Sequence, residues 1–148
     1  MKKIIYIVAL VLLITGCSRK DGTITCTSTS TPNEEVKLKS TYIITYKNNY
    51  VTKLKTTEII TVKDKSNIET YKNVLENSYK EYNKIKYYSN VISVEDNNLI
   101  SSTIINYDKI DTNKLIKLDK NNKSIIKNKK VAVDDIKNIY VKNGCKCK

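Results

Sequence analysis

The chain has 148 residues, with 27 lysines and arginines against 15 acids and a formal charge of +12 at pH 7. That length suits one domain with a modest core. There is no histidine, so no Ser-His or Cys-His pair and no histidine metal site can be built, which removes the commonest routes to hydrolytic and metal-dependent catalysis.

Lys2 and Lys3 precede an uncharged apolar run, Ile4 to Ile14, that ends at Thr15, Gly16 and Cys17. A membrane-spanning helix takes about 20 apolar residues, and this run is shorter. A charged start, a short apolar middle and small closing residues mark a secretory signal. Ile14-Thr15-Gly16-Cys17 resembles the lipobox of bacterial lipoproteins, with isoleucine where leucine is usual. The resemblance implies cleavage between Gly16 and Cys17 and acylation of the Cys17 thiol; the rival reading is an uncleaved apolar anchor with an incidental cysteine. Residues 1–16 are therefore read as a signal peptide, 17–22 as a lipidated tether and 23–148 as a single domain. The expected location is the cell membrane, lipid-anchored and facing away from the cytoplasm.

The core must be unusual. Phenylalanine and tryptophan are absent while tyrosine occurs 11 times, so Ile, Val, Leu and tyrosine rings fill it, and buried phenol hydroxyls want partners. "GTITCTSTS" alternates Ile24 and Cys26 against threonines and predicts a first strand. "TPNEE" reads as a turn. "VKLKSTYIITYKNNYVTKLKTTEIITVKD" predicts a long hairpin turning at "KNN", with Tyr42, Ile44 and Tyr46 on one face and Tyr50, Leu54, Ile60 and Val62 on the return face. Glu58 interrupts that face and suggests a bulge. Ser66 followed by Glu69 matches a capping box, and Ile68, Tyr71, Leu75, Tyr79 and Tyr82 recur at helical spacing. A helix lying on a sheet explains that stripe more simply than a ligand groove does.

"YYSNVISVED" and "LISSTIINYDKI" predict two more strands joined at Asn97-Asn98. Residues 111–130 fit neither period and read as a helical turn followed by a lysine-rich loop. The end, "VAVDDIKNIYVKNGCKCK", predicts a second helix with Val133, Ile136, Ile139 and Tyr140 on one face. Asp134 and Asp135 stand in its first turn, where the dipole favours acids, and Asn143-Gly144 supplies a left-handed cap. The sum is an α+β two-layer sandwich: an antiparallel sheet with about two helices packed on one face.

The remaining chemistry is sparse. Glu34-Glu35 is explained by a turn, and adjacent Asp134 and Asp135 diverge by about 100° on a helix, so neither pair makes a catalytic dyad. The chain is read as non-catalytic, without cofactor or metal. Two thiols in "CKC" (Cys145, Cys147) without further ligands are too few for a soft metal. With Cys17 acylated, Cys26, Cys145 and Cys147 remain, an odd number in an exported domain. Residues two apart in an extended chain lie about 6.5 Å apart, so Cys145 and Cys147 make poor mutual partners. A disulfide from Cys26 to Cys147 is expected, or failing that to Cys145; the alternative is three free thiols. The lysines are scattered, and an AT-rich coding bias would produce many of them. An exported domain leaves nucleic acid aside, so the candidate partners of a basic surface are an anionic envelope polymer or lipid.

A lipobox, the hairpin "TYKNNYVTKLKTTEIITV", a capped helix, the pair "VISVEDNNLISSTIINYDKIDTNKL" and a last helix ending at Gly144 together resemble YehR-like bacterial lipoproteins. Pieces such as Y-x-x-x-x-V-x-K and I-N-Y-D-K-I-D carry the likeness. It implies a two-layer α/β lipoprotein of a family without an assigned activity, and no catalytic residues carry over. The expected function is a membrane-anchored surface lipoprotein acting as a non-catalytic binding or envelope-associated module. The alternative is a small solute-capturing lipoprotein serving a transporter.

Overall fold

The computed structural model describes residues 21–148; the signal segment, Gly16 and Cys17 lie outside the described residues. Three long strands come first: β1 (Gly22–Asn33), β2 (Val36–Lys47) and β3 (Tyr50–Val62). Threonine, isoleucine and valine dominate them, and these stiff side chains fit a pleated surface. β1 begins one residue inside the segment read as tether. It also runs through Pro32, which was expected in the turn; the register shifts between Ser30 and Asn33, so the missing proline amide falls at an irregularity rather than in a regular ladder. Asn48 and Asn49 join β2 to β3 with φ of 51° and 64°, the left-handed pair of a type I′ hairpin that asparagine tolerates.

β4 (Tyr88–Glu95) and β5 (Asn98–Asn106) form a second hairpin. Its turn is Asp96–Asn97, one residue earlier than expected, because Asn98 is held in the ladder: it pairs with Glu95 and Thr61, and Thr61 Oγ1 donates to its side chain at 2.6 Å. The six-stranded sheet runs β4-β5-β3-β2-β1-β8, every neighbour antiparallel, with β8 (Lys146–Cys147) on the far edge.

Four helices accompany it: α1 (Ile68–Tyr79), α2 (Thr112–Leu118), α3 (Asn122–Ile125) and α4 (Val133–Lys142). Ile68 of α1, Leu115 of α2 and Ile136 of α4 all join buried clusters with residues of one sheet face. The other face stays open, with Val91 64% exposed. This is the expected α+β architecture, with two short helices more than the pattern showed. The lysine-rich stretch holds α3 and a small hairpin, β6 (Ile126–Lys127) with β7 (Lys130–Val131), turning at Asn128–Lys129 with positive φ.

The capping box does not form. Asp64 accepts from the Ser66 amide at 2.9 Å, a single 3-10 turn follows, and α1 starts at Ile68 without a side-chain cap on Asn67. An Asx turn two residues upstream captures Ser66 first. α4 ends as expected: Gly144 has φ 83°, the Cys145 amide donates to Tyr140 at 2.9 Å and the Gly144 amide to Val141 at 3.0 Å. Both bonds of a Schellman motif are thus present, and they redirect the chain into β8. There Thr25 and Lys148 exchange backbone bonds of 3.0 and 2.9 Å, so Cys26 and Cys147 face each other as the adjacent non-hydrogen-bonded pair, Cα atoms 4.0 Å apart. A disulfide joins them, and Cys145 is left as a buried free thiol.

Candidate binding cleft

Inward positions are set by the pleat, and the register shift at Thr45/Tyr46 resets them. Tyr46 pairs with Val51 while Thr45 pairs with Lys53, so Thr52 is the extra residue, and Val51 rather than Tyr50 turns inward. The bulge expected at Glu58 is absent: β3 is regular there, and Glu58 points inward between Ser40 and Ser101 in one cross-strand row. The next row holds Tyr42, Thr56, Thr103 and Asn90. Asn90 is fixed from both sides: its amide side chain donates to Ser101 at 2.9 Å and Thr103 at 2.8 Å, and its backbone is clamped by Asn83 at 2.7 and 3.0 Å. A polar band therefore crosses the middle of the face that the helices cover.

Tyrosines converge on this band from several elements. Tyr42 stacks on Tyr140 of α4 with centroids 4.0 Å apart, Tyr79 of α1 meets Tyr82 edge-on at 6.5 Å, and Tyr82 lies 5.3 Å from Tyr88. Of the helical stripe expected here, Ile68 is buried, Leu75 and Tyr79 are half-buried, and Tyr71 faces solvent. Tyr82 falls beyond α1, in a 3-10 turn of residues 82–84 that reorients its ring toward β4. A cleft of about 350 Å³ opens among Tyr79, Tyr82, Tyr88, Tyr107, Leu115 and Asp119.

Electrostatics follow from this crowding. Burial pushes the Tyr107 phenol up to about 12 and raises Tyr88 and Tyr140 strongly. Tyr42 and Tyr79 are raised by burial and, secondarily, by the neighbouring Glu58 carboxylate. Burial likewise raises Glu58 above the usual carboxylate range, and among the described residues it has no ion-pair partner. The cleft offers aromatic faces, phenol donors and the Asp119 carboxylate; Glu58 lies outside its lining, on the sheet beside Tyr79. No group of three metal-ligating side chains gathers among the described residues, and Cys147 of the "CKC" pair is engaged with Cys26. Sequence reasoning missed Glu58 and the serine-threonine row because inward polar residues look like outward ones until strand register is known.

The described residues define a two-layer α+β fold with a tyrosine-lined cleft on the helix-covered face of an open antiparallel sheet. Two solved structures share the fold. The NMR structure of YehR from E. coli is 17% identical with a TM-score of 0.61, over 86% of this chain and 91% of that one. The NMR structure of a protein from Streptococcus pneumoniae TIGR4 is 18% identical with a TM-score of 0.54, over 93% and 92% of the two chains. At such identities the likeness is one of fold. No protein-family model and no curated protein matches the chain.

Proposed function

We propose that the protein is a YehR-like surface lipoprotein, held at the membrane by an acyl chain on Cys17, and that it is a non-catalytic binding module whose ligand enters the tyrosine cleft. The observation that carries the binding part is the cleft itself, about 350 Å³ and lined by Tyr79, Tyr82, Tyr88 and Tyr107 with Asp119. Tyr79 links it to Glu58, a half-buried carboxylate with no ion-pair partner among the described residues. An unpaired, partly desolvated carboxylate is costly to keep, and a donor-bearing or cationic group seated on aromatic faces would offset that cost. The lack of histidine supports a non-catalytic role. Ile14-Thr15-Gly16-Cys17 supports the anchor, and the five residues from Cys17 to Asp21 are enough to clear the headgroups. Solute capture for a transporter is the weaker reading, because the cleft, about 350 Å³, stands at the low end of the size range of small-molecule sites. Feeding cells labelled palmitate tests the anchor: wild-type protein takes up label and Cys17→Ser does not. Equal labelling of the two would sink the anchoring.

A further inference from the structure

We propose that the end of the sheet where the chain enters is the surface the domain turns toward an anionic lipid membrane. This rests on the anchoring reading, which puts a lipid at Cys17. Turns of an antiparallel sheet fall alternately at its two ends, and here the ends differ in charge. The far end carries Glu34 and Glu35 between β1 and β2, Asp64 after β3, and Glu95 and Asp96 between β4 and β5, against Lys37, Lys63 and Lys65, with Lys63 pairing Glu35 at 3.7 Å. The entry end carries Lys47 before the Asn48–Asn49 turn, Lys86 and Lys109 beside Tyr87, and Lys127, Lys129 and Lys130 around the β6–β7 turn. Asp21 ties the incoming chain to this end, accepting from the Asn48 amide at 2.7 Å.

Distance decides which end feels a membrane. Five extended residues from Cys17 to Asp21 span at most about 18 Å. The far end of β2 lies a further 40 Å or so away, several Debye lengths at physiological salt, where one is about 8 Å. Only the basic end comes within reach of the surface potential.

The local chemistry fits phosphate headgroups. Tyr50 and Tyr87 are 42% and 40% exposed, and each ring has ammonium groups over it: Lys130 at 4.8 Å from Tyr50, Lys86 at 4.9 Å and Lys109 at 5.7 Å from Tyr87. Rings of this kind settle at headgroup level, and lysines beside them attract anionic lipid. Two hollows flank Tyr50. One of about 190 Å³ is lined by Lys47, Lys129 and Lys130, with Asp108 at its edge. The other, of about 330 Å³, is lined by Lys127 and Lys130 with Asp135, which Lys127 pairs at 3.2 Å. The β6–β7 hairpin is held in place by the Tyr50–Ala132 bridge and by the Val133 amide donating to Asn49 at 3.0 Å, so the lysines are presented on ordered backbone.

The chain from Cys17 onward, coupled through its Cys17 thiol to a maleimide lipid in vesicles, is the test, read by amide hydrogen exchange. That link anchors it whether or not cells acylate it, so this result and the palmitate result can fail independently. On mixed phosphatidylglycerol and phosphatidylcholine vesicles, exchange at 47–50 and 127–130 slows roughly fivefold or more relative to pure phosphatidylcholine, while 34–35 and 95–96 are unchanged. The slowing disappears as salt rises from about 0.1 M to about 1 M, where the Debye length falls from about 10 Å to about 3 Å. Lys129→Gln with Lys130→Gln, which changes side chains at the β6–β7 turn and the first residue of β7, abolishes it; Lys37→Gln with Lys39→Gln at the far end does not. Equal exchange on both lipids, slowing at the acidic turns, or the same slowing from soluble polyphosphate over neutral vesicles would each overturn the assignment.

Discussion

One sheet face carries two separate apolar clusters, and they are unequal. The larger gathers Cys26, Ile44, Leu54, Tyr107, Leu115 and Ile136 under α2 and α4; the smaller holds only Val62, Ile68 and Leu99, with Ile60, Ile92 and Val94 against it, under the start of α1. Between them runs the row Ser40, Glu58 and Ser101, flanked by Thr103 and Asn90. A chain this short could have sealed the face with aliphatic side chains from end to end. That it does not, and that tyrosines from α1, β2, β4 and α4 crowd the border between this row and the larger cluster, separates what holds the fold from what is left to bind.

Breaking the larger cluster at its edge should have the largest effect. The Cys26–Cys147 bridge spans a sequence separation of 121, worth about 4–5 kcal/mol by loop entropy. Cys26→Ser should lower the unfolding free energy, read from urea titration, by that order and free β8 to exchange rapidly. A loss below about 1 kcal/mol would mean the C-terminal edge is held by backbone pairing alone.

Next come the cluster interiors. Ile44 and Leu99 are both fully buried, and alanine at either site should cost about 2–5 kcal/mol. They differ in reach. Leu99→Ala should speed amide exchange in α1 and β4 and spare α4, while Ile44→Ala should loosen α4 and the β1–β2 pair. Identical exchange maps would show one cooperative core rather than two.

The smallest effect is at Glu58. Its folded-state pKa is raised by burial, so the ionised form costs stability once pH exceeds that raised value, and the cost vanishes below the unfolded value of about 4.3, where both states are protonated. Glu58→Gln should therefore melt higher than wild type at pH 7, and the difference should shrink as pH falls toward about 4. A lower melting temperature at pH 7 would indicate a partner that holds the carboxylate charged.

Much of this frame was legible from residue order because its signals are local. The Asn48–Asn49 turn and the Schellman cap at Gly144 each follow from a few neighbouring residues; the Cys26–Cys147 pairing, with a sequence separation of 121, follows instead from where that cap sends the chain and from the poor geometry between Cys145 and Cys147. The failures involve competition or register. Ser66 was read as a cap until Asp64 is seen to take its amide; Asn97–Asn98 looked like the turn, yet the pull of Thr61 on Asn98 moves it back one position. Two-residue strands such as β6 and β7 are too short to show a period. The cleft was hidden for a deeper reason. Glu58 reads as an interruption in β3, and only its cross-strand pairing with Ser40 and Ser101 shows it as part of a regular polar row rather than a bulge.

The central claim is that ligand binding occupies the tyrosine cleft beside the larger cluster. A photo-crosslinking residue in place of Tyr82, on the cleft wall, should trap a discrete adduct in intact cells, and the trapping should fall with Asp119→Asn. The same crosslinker in place of Val91, 64% exposed on the open face, should trap nothing specific. Adducts from position 91 and none from position 82 would place the binding surface on the open side of the sheet and contradict the account.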